Sequence, residues 1–242
     1  MEKVIEVKNL SKNYSENLAV NNISFNVAKG EIFGLLGSNG AGKSTTIECI
    51  LATKRLTKGE ISILGKSPIV DRKILFEEIG VQFQEAVYPS KILVKELCEQ
   101  TECLYKETID YKELLKQFNI LDKINNPISE LSGGQKQKLF IVLALIPKPK
   151  VLFLDEITTG LDPKARREVW KILRSLKEDG ITILLTSHFM DEVENLCDNI
   201  LILKKGEKVF EGTVKQAIDE SPYEKLEDAY LWYIGEDENE NI

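Results

Sequence analysis

Histidine is nearly absent from this chain: among 242 residues there is one, His188. Cysteine is scarce as well. Cys49, Cys98, Cys103 and Cys197 lie scattered without a CxxC pair, so neither metal-site spacing nor a disulfide framework is present, and reduced, mostly buried thiols are expected. No uncharged apolar run reaches the ~18–20 residues that span a bilayer; the longest, 139–147, stops far short. The N-terminus, Met1-Glu2-Lys3-Val4-Ile5-Glu6, has no apolar h-region. These absences predict a soluble cytoplasmic chain that reaches a membrane only through a partner. Basic charge is also in deficit. With 32 Lys+Arg against 39 Asp+Glu the formal net charge is −7, which argues against nucleic acid as a partner.

What is present is a chain 43% hydrophobic and 29% charged, enough apolar material for a substantial core. Its acidity is local. Residues 219–242 hold nine acids and one base, a net −8, which leaves the first 218 residues at +1. Within that tail, 223–234 mixes acids with Leu226, Tyr230, Leu231, Trp232 and Ile234, as an amphipathic helix packed on the body does. Only 235–242 reads as a free solvated end.

Apolar and polar residues alternate over 4–8 and 22–28, the pattern of half-exposed antiparallel strands. After Glu31 the run Ile32-Phe33-Gly34-Leu35-Leu36 is continuously apolar instead, a strand covered on both faces. A glycine-rich turn and a helix over 44–51 follow, then a short strand over 59–65. Residues 91–118 carry helical spacing at Leu93, Leu97, Leu104, Leu114, Leu115 and Phe118. A second strand–helix–strand unit runs through 151–155, 165–177 and 181–185. Buried strands separated by helices predict a mainly parallel α/β sheet, to which the antiparallel start and the helical middle are additions.

Three strings carry chemistry. Gly37-Ser38-Asn39-Gly40-Ala41-Gly42-Lys43-Ser44 fits GxxxxGK[ST] between a buried strand and a helix. Its glycines allow backbone N–H groups to turn inward as an anion nest, and the helix adds its positive end. Lys43 reaches β- and γ-phosphates; the Ser44 hydroxyl ligates Mg²⁺. Strand 151–155 ends in Asp155 and Glu156, the first suited to hold Mg²⁺ and the second to polarise a water in line with a γ-phosphate. Leu131-Ser132-Gly133-Gly134-Gln135 opens a further helix N-terminus suited to an anion. A second such site makes sense if two copies face each other and each completes the other's site.

At this point the sequence resembles the ABC-type ATPases over nearly its whole length. The resemblance implies ATP as nucleotide, with Gly37 to Ser44 as the Walker A loop, continued by Thr45, and Asp155 and Glu156 as the Walker B acid and catalytic glutamate. Residues 131–135 match the family signature letter for letter. Gln84 resembles the Q-loop glutamine that touches the metal; strand alternation and the following Glu85-Ala86 favour it over Gln82. Thr159-Gly160-Leu161-Asp162 resembles the D-loop, His188 the switch histidine that contacts the γ-phosphate, and Tyr14 the aromatic that stacks on adenine. The fold implied is a P-loop NTPase (RecA-like) core of mainly parallel sheet, with an N-terminal antiparallel β subdomain and an inserted α-helical subdomain. The expected division is 1–89 with 150–218 as ATP-binding core, 90–149 as helical subdomain, and 219–242 as acidic extension.

Departures from the family pattern are Ser38 and Ile157, where relatives often carry Pro, and Lys138 in place of the usual Arg. None removes a ligand or phosphate donor. The reading is an ATP-hydrolysing subunit, a homodimer or a heterodimer with a related subunit, coupled to integral membrane permease subunits at the inner face of the cell membrane. Residues 32–37, 160–163 and 226–231 look like those of ABC-2-type exporters. A soluble iron–sulfur-assembly-type ATPase is the alternative, disfavoured by the intact signature. A P-loop kinase would leave the signature unexplained.

Overall fold

A computed structural model of the chain describes residues 2–15, 17–83 and 88–236. In chain order the elements are β1 (Lys3–Tyr14), β2 (Asn17–Ala28), β3 (Ile32–Leu36), α1 (Lys43–Ile50), β4 (Lys58–Ile63), α2 (Arg72–Leu75), β5 (Ile79–Gln82), α3 (Val94–Glu102), α4 (Tyr111–Gln117), α5 (Gly133–Leu145), β6 (Val151–Asp155), α6 (Pro163–Glu178), β7 (Thr182–Ser187), α7 (Met190–Leu196), β8 (Asn199–Lys204), β9 (Glu207–Thr213), α8 (Val214–Asp219) and α9 (Leu226–Ile234). No helix among the described residues is long and apolar enough to cross a membrane. The chain divides into two compact units, Met1–Arg72 with Thr182–Ile242, and Lys73–Ile181.

In the first unit, β1 pairs antiparallel with both β2 and β4. The strands extend well beyond the alternating stretches 4–8 and 22–28. Asn9 and Asn22, both with φ near +50°, accompany shifts of register along the ladder. Two serines satisfy the displaced amides: Asn9 N–H donates to Ser24 Oγ (2.8 Å) and Asn22 N–H to Ser11 Oγ (3.0 Å). β3 runs parallel between β7 and β8, and β9 closes that side antiparallel. Every residue of β3 and β7 is buried: β3 is apolar throughout, while β7 carries Thr182, Thr186 and Ser187 around its apolar centre Ile183–Leu185. Phe25 of β2 stacks on Phe33 of β3 with ring centroids 5.3 Å apart, joining the two sheets of this unit.

The tail helix is present and packed. α9 lays Leu226, Ala229, Tyr230 and Ile234 against Val193, Ile200, Ile202, Phe210 and Ala217. Its first amide, Leu226 N–H, donates to Glu194 of α7 (3.2 Å). Burial pushes the Tyr230 hydroxyl up to about 12, with the Glu236 carboxylate adding to the rise.

In the second unit β5 and β6 are parallel neighbours, and α5 buries Leu139 and the run Ile141–Leu145. The approach of β5 to this helix demands Gly80: a Cβ there would lie 2.1 Å from the Ala144 carbonyl oxygen. The stretch 91–118, expected to be helical, holds two helices, α3 and α4. Leu104, whose spacing fits a continuous apolar face, lies between α3 and α4 and is 76% exposed. Asp110 starts α4 anew, accepting from Lys112 N–H.

Candidate functional site

In the first unit, β3 delivers the chain into the glycine-rich turn and α1 begins at Lys43. The N-terminus of α1 has no side-chain cap hydrogen bond and no acid in its first turn, an arrangement suited to an anion. Gly42 holds φ +104°, and a Cβ on it would lie 2.7 Å from the Ala19 carbonyl oxygen. The turn is anchored from behind: Gly206 N–H, at the β8–β9 hairpin, donates to Ala41 O (3.0 Å), and Asn21 N–H donates to Gly206 O (2.8 Å). Lys43 is buried and curls over the turn, its Nζ donating to Gly37 O (2.8 Å) and Ser38 O (3.3 Å). Ser38, Asn39 and Gly40 face solvent, while Ser44 and Thr45 are half-buried. An ammonium, a helix N-terminus and a glycine turn form a donor set that fits a polyphosphate.

His188 belongs to the same sheet edge. Leu36 is paired with Ser187, so Gly37 and His188 are the next residues off adjacent parallel strands. The imidazole is exposed, its centroid 4.1 Å from that of Phe189. Tyr14 lies at the end of β1, 39% exposed. Lys12 Nζ stands 4.6 Å and Lys54 Nζ 5.5 Å from its ring centroid, both in cation–π range. Hydrogen bonding to Glu48 and then to Tyr14 raises the Lys54 pKa above its usual value.

The second unit holds the acids and the signature. All of β6 is buried, and Asp155 and Glu156 at its end are 4% and 8% exposed. Glu156 adopts φ +49°, a left-handed conformation that costs a non-glycine residue about 1–3 kcal/mol and clusters at functional positions. Gln82 pairs with Leu154, so the end of β5 runs beside the end of β6. Gln82 is buried and spends its amide on the neighbouring Phe83 carbonyl (2.8 Å). Gln84, the residue expected to touch metal, lies outside the described residues.

Ser132 caps α5. Its Oγ accepts from Gln135 N–H (3.3 Å) and its own N–H donates to Gln135 Oε1 (2.9 Å), a reciprocal capping box. Ser132 and Gly133 are exposed and Gly134 half-buried. A Cβ on Gly134 would sit 3.1 Å from Ala165 Cβ, and one on Gly133 3.8 Å from Leu161 Cδ2, so the signature turn packs directly on the 159–162 loop and the start of α6. Asp162 caps α6 through Lys164 and Ala165 N–H. Lys138 donates to Glu168 (2.6 Å), tying α5 to α6 and lowering the Glu168 pKa below its usual value. Lys138 thus has a defined partner.

One pair went unseen in the sequence. Ser187 Oγ and Glu192 Oε2 are 2.5 Å apart and buried, flanking His188. A serine and a glutamate five positions apart across a strand-to-helix turn match no motif.

The ABC transporter family model matches residues 20–159. That span runs from β2 through the glycine-rich turn and the signature to the acids that end β6. Nod factor export ATP-binding protein I of Rhizobium johnstonii is 40% identical over 222 residues, covering 89% of this chain and 71% of that protein. A solved ATP-binding subunit of an ABC transporter superposes with a TM-score of 0.86 at 28% identity, over 95% of this chain and 99% of its own. A dimeric, post-hydrolysis ATP-binding cassette bound to ADP and Pi superposes with a TM-score of 0.77 at 26% identity, over 86% of this chain and 98% of its own. The fold is the expected P-loop NTPase arrangement, with mainly parallel strands, an added antiparallel sheet and several helices. The chain belongs to the ABC transporter family, as one of its ATP-binding proteins and an ATPase.

Proposed function

We propose that this chain is the motor subunit of an ABC exporter of the ABC-2 type, working as a head-to-tail dimer on separate membrane-spanning subunits at the inner face of the cell membrane. The observation that carries the reading is the exposed, side-chain-capped signature turn at Ser132–Gly133 in a chain that has a single phosphate loop. Such a turn has an anion-binding role to fill if it faces the nucleotide held by a second copy. The dimeric state of the cassette bound to ADP and Pi supports this arrangement for a relative. The export role named for the Rhizobium johnstonii protein supports the direction of transport.

Each unit carries part of the chemistry. In the first, Gly37 to Thr45 bind the triphosphate, Tyr14 stacks on adenine and His188 contacts the γ-phosphate. In the second, Glu156 orients the attacking water and Asp155 serves as the metal acid. The hydroxyl of Ser44, the carboxylate of Asp155 and the amide of Gln84 are hard oxygen donors of the kind Mg²⁺ takes. When bound, the ion neutralises charge on the phosphates. The region 85–130, between Gln84 and the signature, is the contact through which closure reaches the membrane partner; its residues 85–87 lie outside the described residues.

The test is Glu156→Gln. ATP binding should persist while hydrolysis falls about 10²–10⁴-fold, and MgATP should convert the chain to a stable dimer by size-exclusion light scattering. Near-normal turnover overturns the role of Glu156. Co-purification with an integral membrane protein encoded beside it checks the transport role, and full cellular function without any such protein refutes it.

A further inference from the structure

We propose that the buried Ser187–Glu192 hydrogen bond is the positioning element that aims His188, an inference that rests on the reading of His188 as the γ-phosphate contact. Ser187 is the last residue of β7 and 1% exposed; Glu192 lies in the first turn of α7 and is 2% exposed. The Ser187 hydroxyl donates to Glu192 Oε2 at 2.5 Å, and the same Oγ accepts Phe189 N–H at 3.0 Å. The side chain thus closes a hook over residues 187–189, with His188 at its tip. A carboxylate this buried is costly unless hydrogen-bonded, and a charge-assisted O–H···O⁻ bond of this length is among the stronger kinds. Negative charge is also favoured in the first turn of a helix.

The hook sits where aim matters. Because Leu36 is paired with Ser187, the backbone at His188 leaves the sheet beside Gly37, the first residue of the phosphate loop. The imidazole is exposed and packs on the ring of Phe189, whose N–H the Ser187 hydroxyl holds. The turn that carries both rings is fastened to α7 by the Ser187–Glu192 bond. A 1 Å misplacement of a contacting group can cost about 10²-fold in rate. Ser187 and Glu192 are positioning residues: neither is asked to touch nucleotide.

The experiment uses the untagged full chain, in which histidine ring signals in a ¹H–¹³C spectrum come from His188 alone. Ser187→Ala should shift and broaden those signals and lower kcat about 10–100-fold, with KM for ATP within about threefold of the parent. Ser187→Thr should restore both, and Glu192→Gln, which keeps an acceptor of the same shape, should fall between. In a His188→Ala background, Ser187→Ala should cost nothing further, since the two act as a unit. Unchanged ring signals, or kcat losses that multiply in the double variant, overturn the inference. A parent-like Ser187→Ala beside an inactive His188→Ala refutes the hook alone. Normal turnover of His188→Ala refutes the role of the histidine and the hook with it.

Discussion

Leu36 and Ser187 stand opposite each other in adjacent parallel strands, and this register brings the phosphate loop and the lone histidine to the same edge of one sheet. The two positions are 151 residues apart in sequence. Open parallel sheets bind ligands beyond the carboxyl ends of their strands, and Gly37 and His188 are the residues that emerge there. Leu203, one step past the β8 residue Ile202 that also pairs with Leu36, completes the edge; a Cβ on Gly37 would lie 2.7 Å from its carbonyl oxygen.

Gly42→Ala should damage the loop more than a left-handed glycine elsewhere. Gly180 also has positive φ (+88°) but open space around it, so Gly180→Ala should cost about 1–2 kcal/mol for conformation alone. At Gly42 the added methyl also meets the Ala19 carbonyl at 2.7 Å, bringing the expected loss to about 2–5 kcal/mol. Urea unfolding of both variants checks the difference. Nucleotide affinity should fall in Gly42→Ala and stay at parent level in Gly180→Ala.

Ser132→Ala separates a capping role from a catalytic one. Losing the capping box should cost about 1 kcal/mol of stability, seen as a modest drop in unfolding midpoint. If the turn also completes the site of a second copy, turnover should fall about 10²-fold while ATP binding by the isolated chain is retained. A loss of activity that merely follows the loss of stability would reduce Ser132 to a helix cap.

The thiols should separate by accessibility. Burial pushes Cys98 up to about 12, with Glu102 and Glu99 adding to the rise, and burial raises Cys49 as well. A raised pKa keeps a thiol protonated, and the thiolate is the reactive form. At pH 8 a maleimide should therefore modify exposed Cys103 first and leave Cys98 and Cys49 protected until the chain unfolds. Mass spectrometry of time-quenched samples checks the order. Labelling of Cys98 in the native chain as fast as Cys103 would contradict the packing of α3.

Much of this was legible because it is local. A phosphate loop needs its glycines, lysine and serine contiguous, so Gly37 to Ser44 declare themselves without a fold. The acids after a buried strand, the capping pair Ser132 and Gln135, and the apolar stripe of α9 are likewise written at fixed short spacings. Other features were not. The break between α3 and α4 is hidden because Leu104 keeps the helical spacing while pointing to solvent. The full length of β1 is hidden because the bulge at Asn9 interrupts the alternation from which a strand is read, although serine hydroxyls keep the ladder going.

The sequence by itself determined the phosphate loop, the strand-end acids, the signature turn and the family to which they belong, since each depends on residues close along the chain. Only the tertiary structure decided that Leu36 meets Ser187, that Glu192 is buried against the hydroxyl beside His188, and that Glu156 is held at positive φ. The reason is physical. Strand order, burial of a charge and backbone strain are settled by packing between distant segments, and one-dimensional spacing carries no record of which distant segment will arrive.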